Sequence, residues 1–165
     1  MSVTISGSGT ISGLAATGIS DQPVFAGNVL QVIQAQSTAA TTTSSTSYVD
    51  LTGMSASITV KANSKVFIMV TCGTYGAGSG SAWGATGNIA ITDSANTILI
   101  DTEHIGTITN EAQTAQHATF VLTGGLSAGT YTYKVRGRSI TGGSIEFNRP
   151  GSSSKGRLIL MEIAG

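Results

Sequence analysis

Four side chains in the middle of the sequence are of types that bind divalent metals. Asp101, Glu103 and His104 stand close together, and His117 follows thirteen residues after His104. The ligands of a tight metal site recur at short, characteristic spacings, which this set does not have. We therefore interpret the group as a polar surface turn and one strand histidine, and we expect no metal and no other cofactor.

Residue types that serve nucleophilic or acid-base catalysis are present but are not arranged for it. The 165-residue sequence has many serines, two histidines and eight acidic residues, yet we expect no G-x-S-x-G elbow in it and no helix to follow one. Scattered acids form accidental pairs in any fold, so they do not indicate a glycosidase. We expect that the protein is not an enzyme.

A glycine-rich segment, residues 73–87, contains Tyr75 and the only tryptophan, Trp83. It lacks the lysine and the strand-loop-helix context of a phosphate-binding loop. An aromatic side chain on such a loop can stack on a sugar ring, which would suit contact with cell-surface polysaccharide. We favour the alternative, in which Trp83 packs the loop against the domain or a neighbouring subunit, because tryptophan is usually largely buried.

Residues 130–138 (TYTYKVRGR) alternate between two kinds of side chain. One face is apolar, and the opposite face carries a basic stripe of Lys134, Arg136 and Arg138. Such a stripe can contact an acidic neighbour or an anionic glycan, although a solvated outer face is the simpler interpretation. The chain has eight cations, eight anions and no net charge, so we expect neither nucleic acid nor a membrane as a partner.

The composition favours β-strands whose outer faces carry hydroxyl groups. The chain has 21 serines, 24 threonines and 22 glycines, whereas only 10% of residues are charged and 40% are hydrophobic. A disordered chain would combine low hydrophobicity with high charge, and β-branched threonine fits a pleated surface. A neutral protein of this kind tends to associate, which suits a component of a larger assembly.

Short segments with strand patterns follow one another from residue 28 to residue 165, and no window of comparable length shows a helical stripe. They predict an all-β, jelly-roll-like antiparallel β-sandwich in which the first and last strands are neighbours. The polar residues 36–48 are interpreted as an edge strand or excursion within this domain rather than a linker. The predicted strands are residues 29–35, 55–60, 65–72, 88–92, 97–101, 115–123, 130–138, 144–148 and 157–163.

Residues 65–72 (KVFIMVTC) are apolar on both faces of the predicted strand. Such a strand is covered on both sides, and in a sandwich the second cover is another layer or another subunit. We expect Phe67 and Met69 to contact a neighbouring subunit. Cys72 is the only cysteine, which excludes an internal disulfide, and we interpret it as a small buried hydrophobe.

Residues 1–27 have little apolar bulk and repeat the motif TISG at residues 4–7 and 10–13. Ordering each residue costs about 1 to 2 kcal/mol of conformational entropy, which so few apolar side chains do not offset alone. We expect an extended N-terminal arm that lies on a neighbouring subunit or a host structure. No signal peptide or transmembrane helix is indicated, so assembly in a cytosol is expected. The apolar contacts of the arm would be Ile5, Ile11, Leu14 and Ile19.

The domain opens with GNVLQVIQAQSTAATTTSSTSYVDLTGMSASITVKANSKVFIMVTC, which runs from one strand through a Thr/Ser-rich stretch into a hairpin and a doubly apolar strand. With LSAGTYTYKVRG at residues 126–137 and the terminal LILMEIAG, it resembles the jelly-roll domain of bacteriophage virion proteins, especially fibre-like proteins of phages that infect cyanobacteria. The resemblance covers most of residues 28–165. It implies a head that is commonly a homotrimer and that contacts other virion proteins.

The resemblance and the arm together predict a structural protein of the virion that is assembled in the host cytoplasm. A long tail fibre needs a shaft of coiled-coil, collagen-like or β-helical repeats, and none is visible in this sequence. A capsid decoration (cement or head-fibre) protein is therefore favoured over a short tail-fibre or baseplate adsorption subunit. A carbohydrate-binding module that uses Trp83 and Tyr75 is the alternative from another class.

Overall fold

The structure is a computed structural model that describes residues 26–76, 87–102, 114–148 and 155–165. Within these ranges every regular element is a β-strand, and none is a helix. The ten strands are β1 (Val29–Gln36), β2 (Thr41–Thr43), β3 (Val49–Val60), β4 (Lys65–Gly76), β5 (Gly87–Asp93), β6 (Ile98–Asp101), β7 (Thr114–Leu122), β8 (Gly129–Ser139), β9 (Ile145–Phe147) and β10 (Arg157–Ile163).

Two antiparallel sheets pack against each other and form a β-sandwich. Sheet A contains six strands in the order β1-β10-β4-β9-β2, with β7 also paired to β4. Sheet B contains four strands in the order β3-β8-β5-β6. The all-β sandwich predicted from the sequence is therefore confirmed.

Strand pairing is nested along the chain, as in a jelly roll. β1 pairs with β10, β2 with β9, β3 with β8, β4 with β7 and β5 with β6. The first, second and fourth of these pairs lie in sheet A, and the third and fifth lie in sheet B. This is the path of one long hairpin wrapped around the core, which is how a double sheet is closed. The predicted contact between the first and last strands is confirmed, because β1 and β10 are antiparallel neighbours.

β4 is the centre of sheet A because other strands are hydrogen-bonded to both of its edges. β7 occupies one edge from Phe67 to Tyr75. β10 and β9 therefore share the other edge, with β10 beside residues 65–71 and β9 beside residues 74–76. β2 pairs with β9 in the way that β1 pairs with β10. The polar residues 36–48 thus contribute the short strand β2 at the end of this sheet.

Polar groups hold the junctions between β9 and β10 and between β1 and β2. Asn148 has a left-handed φ of 57°. Its backbone N–H donates to the Gly73 carbonyl (2.8 Å), and its side-chain Oδ1 accepts the Gly73 N–H (3.1 Å). Ser37 donates its amide to the Gly156 carbonyl and accepts the Gly156 amide on Oγ, both at 3.0 Å. These bonds satisfy backbone groups that the interrupted strands leave outside the ladders.

The core lies between the sheets and is formed by alternate residues of the long strands. Along β4, Val66, Ile68 and Val70 point inwards and are fully buried, whereas the residues between them point outwards. Along β3, Ile58 and Val60 also point inwards and are buried. Further core residues are Leu51, Met54, Ile89, Ile91, Tyr133, Val135, Ile145, Phe147, Leu158 and Leu160.

A buried carboxylate closes one end of the sandwich. Glu162 is on the core-facing side of β10 and is only 2% exposed. It accepts hydrogen bonds from Gln31 Nε2 (2.6 Å), the Lys61 amide (2.7 Å) and Ser64 Oγ (2.7 Å). Burial by itself would raise the pKa of Glu162, but these hydrogen bonds outweigh it and hold the pKa below its usual range. Gln31 belongs to sheet A and Lys61 follows β3 of sheet B, so the carboxylate ties the two sheets together.

The substitution Glu162→Gln tests this tie. The glutamine amide presents hydrogens to groups that themselves donate, so we expect the free energy of unfolding at pH 7 to fall by about 1 to 3 kcal/mol. Because the native pKa is lowered, the carboxylate stabilises the fold above its unfolded pKa of about 4.3 and loses this contribution as the pH falls through the native pKa. Urea unfolding at several pH values should show a gap between wild type and variant that narrows below about pH 4. A gap of constant size would contradict the assignment.

Candidate functional site: the apolar face of sheet A

The outward side of sheet A carries apolar side chains on four adjacent strands. Residues opposite one another in an antiparallel pair share a face, so the register arranges these side chains in rows. One row contains Val32, Met161, Phe67 and Leu122, and the next contains Gln34, Ile159, Met69 and Phe120. Val29 and Ile163 lie opposite each other beyond the first row. The nine apolar side chains named here are called the apolar face.

The apolar face is open to solvent in the described part of the chain. Phe120, Val32 and Leu122 are 64%, 55% and 53% exposed, although full burial of such side chains is worth about 1.5 to 3 kcal/mol each. The rings of Phe67 and Phe120 are neighbours, with centroids 6.0 Å apart. The exposed groups therefore form a continuous patch, which in soluble proteins usually marks a binding surface.

Charged side chains stand at the two ends of the apolar face and not between them. Lys65 pairs with Ile163 at one end, and Arg157 pairs with Thr71 at the other. Both cations are exposed. The described rows contain no carboxylate that points outwards. A partner that is apolar at its centre, with a neutral or acidic margin, therefore suits this surface.

Phe67 and Met69, the predicted subunit contacts, both lie on the apolar face and are partly buried. Their contact with another subunit stays a prediction. Sequence reasoning missed the neighbours that make them part of a patch, Phe120 among them. The sequence RLILMEI (residues 157–163) could have indicated the patch, because it is apolar on both faces like residues 65–72. Leu158 and Leu160 enter the core, and the residues between and beyond them point outwards.

The outward side of sheet B is polar and contains the basic stripe. Lys134 Nζ and Arg136 Nε form ion pairs with Asp50 at 3.2 and 2.7 Å, and Arg136 also donates to the Tyr48 carbonyl (2.7 Å). The Arg138 guanidinium lies over the Tyr48 ring, 4.8 Å from its centroid. Tyr48 and Asp50 therefore partly neutralise and cover the stripe, and sequence reasoning did not connect either residue with it.

Hydroxyl groups continue the outward side of sheet B beyond the stripe. Ser57 Oγ and Thr132 Oγ1 are 2.7 Å apart, and Thr59 Oγ1 and Thr130 Oγ1 are 2.8 Å apart. Cross-strand hydroxyl pairs of this kind satisfy each other. The hydroxyl-covered strand face expected from the composition is therefore present here.

Among the side chains whose pKa values are raised by burial are Cys72 and Tyr48. Burial raises the pKa of the Cys72 thiol to about 12, so the thiol stays protonated and unreactive. Cys72 is 2% exposed, which confirms its interpretation as a buried hydrophobe. Burial also raises the pKa of Tyr48, whose hydroxyl is 3.4 Å from Asp101 Oδ2. Neither group has the environment of an activated nucleophile.

Several residues singled out in the sequence lie outside the described residues. These are Trp83, Glu103, His104 and the arm residues Ile5, Ile11, Leu14 and Ile19. Tyr75 and His117 are described by their backbone alone, as parts of β4 and β7. Among the residues that the structure describes, no group of three or more histidine, cysteine, aspartate or glutamate residues could hold a metal ion.

The expectation that the sequence contains no G-x-S-x-G motif is wrong, because residues 125–129 (GLSAG) have the spacing of a nucleophile elbow. An elbow places its serine between a strand and a helix. These residues lead instead into the strand β8, and the Ser127 carbonyl accepts a hydrogen bond from the Tyr131 hydroxyl (3.1 Å). The local structure therefore does not match an elbow.

Fold and surface together define the protein as a jelly-roll β-sandwich with one apolar and one polar outer side. Comparison with models of known protein families and with curated proteins finds no match for the chain. In the described ranges, the structure contains no helix with the length and hydrophobicity needed to span a membrane.

Replacement of Asp50 by asparagine tests whether this carboxylate neutralises the basic stripe. We expect the variant to elute from a heparin column at higher salt than wild type, because two cations lose the carboxylate that pairs them. Stability should change by about 1 kcal/mol or less, because Asp50 is 56% exposed. The control Asp21→Asn removes the same charge at a position outside the described residues. If both variants shift elution equally, net charge rather than the stripe decides binding.

Proposed function

We propose that the protein is a structural component of a bacteriophage virion, most directly a capsid decoration protein, which assembles as a homotrimer through the apolar face. Its jelly-roll domain projects from the particle, and its N-terminal arm, residues 1–27, docks on the particle or on a neighbouring copy. The apolar face is the single observation that carries this proposal.

The energetics of the apolar face support assembly. An isolated copy keeps Phe120, Leu122 and Val32 more than half exposed, and burying apolar surface contributes about 25 cal/mol per Å². The net charge of zero means that copies do not repel one another at long range. Burial of this face therefore contributes favourably to the association of copies, and no metal or covalent bond is required for that contribution.

Two further features support a place on a virion. Residues 28–165 resemble virion jelly-roll domains in the order of their strand and turn motifs. The outer side of sheet B is polar through hydroxyl pairs such as Ser57 with Thr132, so the side opposite the apolar face suits contact with water. A subunit with one side for assembly and the other for solvent fits the surface of a shell.

The position of the protein on the virion is tested by labelling intact particles. Immunogold labelling of virions, purified from the phage that carries the gene, should place the protein on the capsid shell. Label at the tail tip or baseplate would replace the decoration role with that of an adsorption subunit. If neither intact nor disrupted virions contain the protein, the proposal is wrong.

The trimer is tested by sedimentation of the full chain, which should give a mass of about 50 kDa, three times the 16.6 kDa of one chain. The double variant Phe120→Ser with Leu122→Ser should sediment as a monomer, and it should remain folded because both side chains are already exposed.

A matched control comes from sheet B, where Ile98 and Leu99 are 47% and 39% exposed. The double variant Ile98→Ser with Leu99→Ser should remain a trimer. A monomeric wild-type chain would contradict the proposed trimer, and a trimer of the Phe120 and Leu122 variant would remove the apolar face from the interface.

A further inference from the structure

The apolar face is too small to hold a subunit by itself. Four strands about 4.8 Å apart and three rows of side chains about 6.8 Å apart give a patch of roughly 400 Å². Each partner in a stable complex usually contributes about 800 Å². About half of the required surface must therefore come from another part of the chain.

The described part of the chain begins at residue 26, beside this patch, and residues 1–25 are attached at that point. The Gly27 amide donates to the Ala164 carbonyl (2.8 Å), and the Ala164 amide donates to the Asn28 carbonyl (2.9 Å). These bonds fix the start of β1 next to Val29 and Ile163, which form one corner of the apolar face. Residues 1–25, here called the N-terminal segment, can reach about 80 Å when extended, so they can cross the roughly 20 Å patch of an adjacent copy.

The composition of the N-terminal segment complements the apolar face. The segment has no lysine, arginine, histidine or glutamate, and Asp21 is its only charged side chain. The only charges at the ends of the described rows are the cations Lys65 and Arg157. Small residues let an extended chain approach a sheet closely. The apolar side chains available for contact are Val3, Ile5, Ile11, Leu14, Ile19, Val24 and Phe25.

We propose that the apolar face of each copy binds the N-terminal segment of a neighbouring copy. This inference rests on the proposed function, because it names the partner of the assembly surface. When copies exchange their N-terminal segments, residues 1–25 supply the half of the interface area that the apolar face lacks. A direct contact between two sheets would not use these residues. A segment folded onto its own sheet would instead hide the apolar face from every other copy.

The test places a photoreactive benzoylphenylalanine at position 120 of the full chain, where the native phenylalanine is 64% exposed. The probe-carrying chain also has Ile11→Val, which marks its own N-terminal segment by a lower mass. It is co-expressed with an excess of wild-type chain and irradiated, and the product is cleaved before aspartate. Cleavage at Asp21 releases residues 1–20. Cross-linked fragments of native mass are expected, because only a neighbouring copy provides them.

Four outcomes would overturn the inference. Capture of the valine-marked fragment alone would mean that each segment covers its own sheet. Capture of β4 or β10 from a neighbour, without residues 1–20, would mean that two sheets meet directly, and the proposed trimer would stand. If the probe captures nothing and the chain sediments as a trimer, the inference fails but the proposed trimer stands. If the probe captures nothing and the chain sediments as a monomer, both the inference and the proposed trimer fail.

Two further probes guard against a local effect of the photoreactive group. The same group at position 98, on sheet B, should not capture residues 1–20. The group at position 11 should in turn capture a fragment of β4, β7 or β10. Failure of the group at position 11 to capture any of these strands contradicts the inference as well.

Discussion

Each strand of a sandwich has two faces, but the sandwich has only one interior, and this constraint decides how the rest of the molecule is built. The inward residues of β4, such as Ile68, meet the inward residues of sheet B, such as Ile91, and are fully buried. The number of inward residues is set by the strand length. Because successive side chains point to opposite faces, every second residue points outwards. What the chain places at those outward positions determines how each sheet meets its surroundings.

The two sheets use their outward positions differently. Sheet B carries hydroxyl pairs and a stripe of cations that Asp50 partly neutralises. Sheet A repeats on its outside the apolar chemistry of its inside, from Val32 across to Leu122. The same hydrophobic effect that forms the core therefore remains available for association after the chain has folded. This asymmetry is the physical basis of the assembly role proposed for the protein.

Local patterns predicted the strands well, because alternation and turn residues are properties of short segments. Pairing was predicted only for the first and last strands. The contacts of Arg136 with Asp50 and Tyr48 depend on the register between β3 and β8, which no local pattern reveals. Glu162 shows the same limit, since its donors come from distant segments. Phe67 and Met69 could be singled out from the sequence because their own strand is apolar on both faces. The place of Phe120 in the apolar face depends on its pairing with Met69 of the neighbouring strand β4, which the sequence does not show.

The position of β10 between β1 and β4 has a consequence for synthesis in the cell. Residues 157–163 leave the ribosome after the other nine described strands, and until then β1 has no partner in sheet A. Leu158 and Leu160 are also missing from the core during this interval. The nascent chain therefore carries unpaired strand edges and apolar surface that can pair wrongly. Folding of sheet A is completed only when β10 has left the ribosome, so the interval between the synthesis of β1 and that of β10 is the period of greatest aggregation risk.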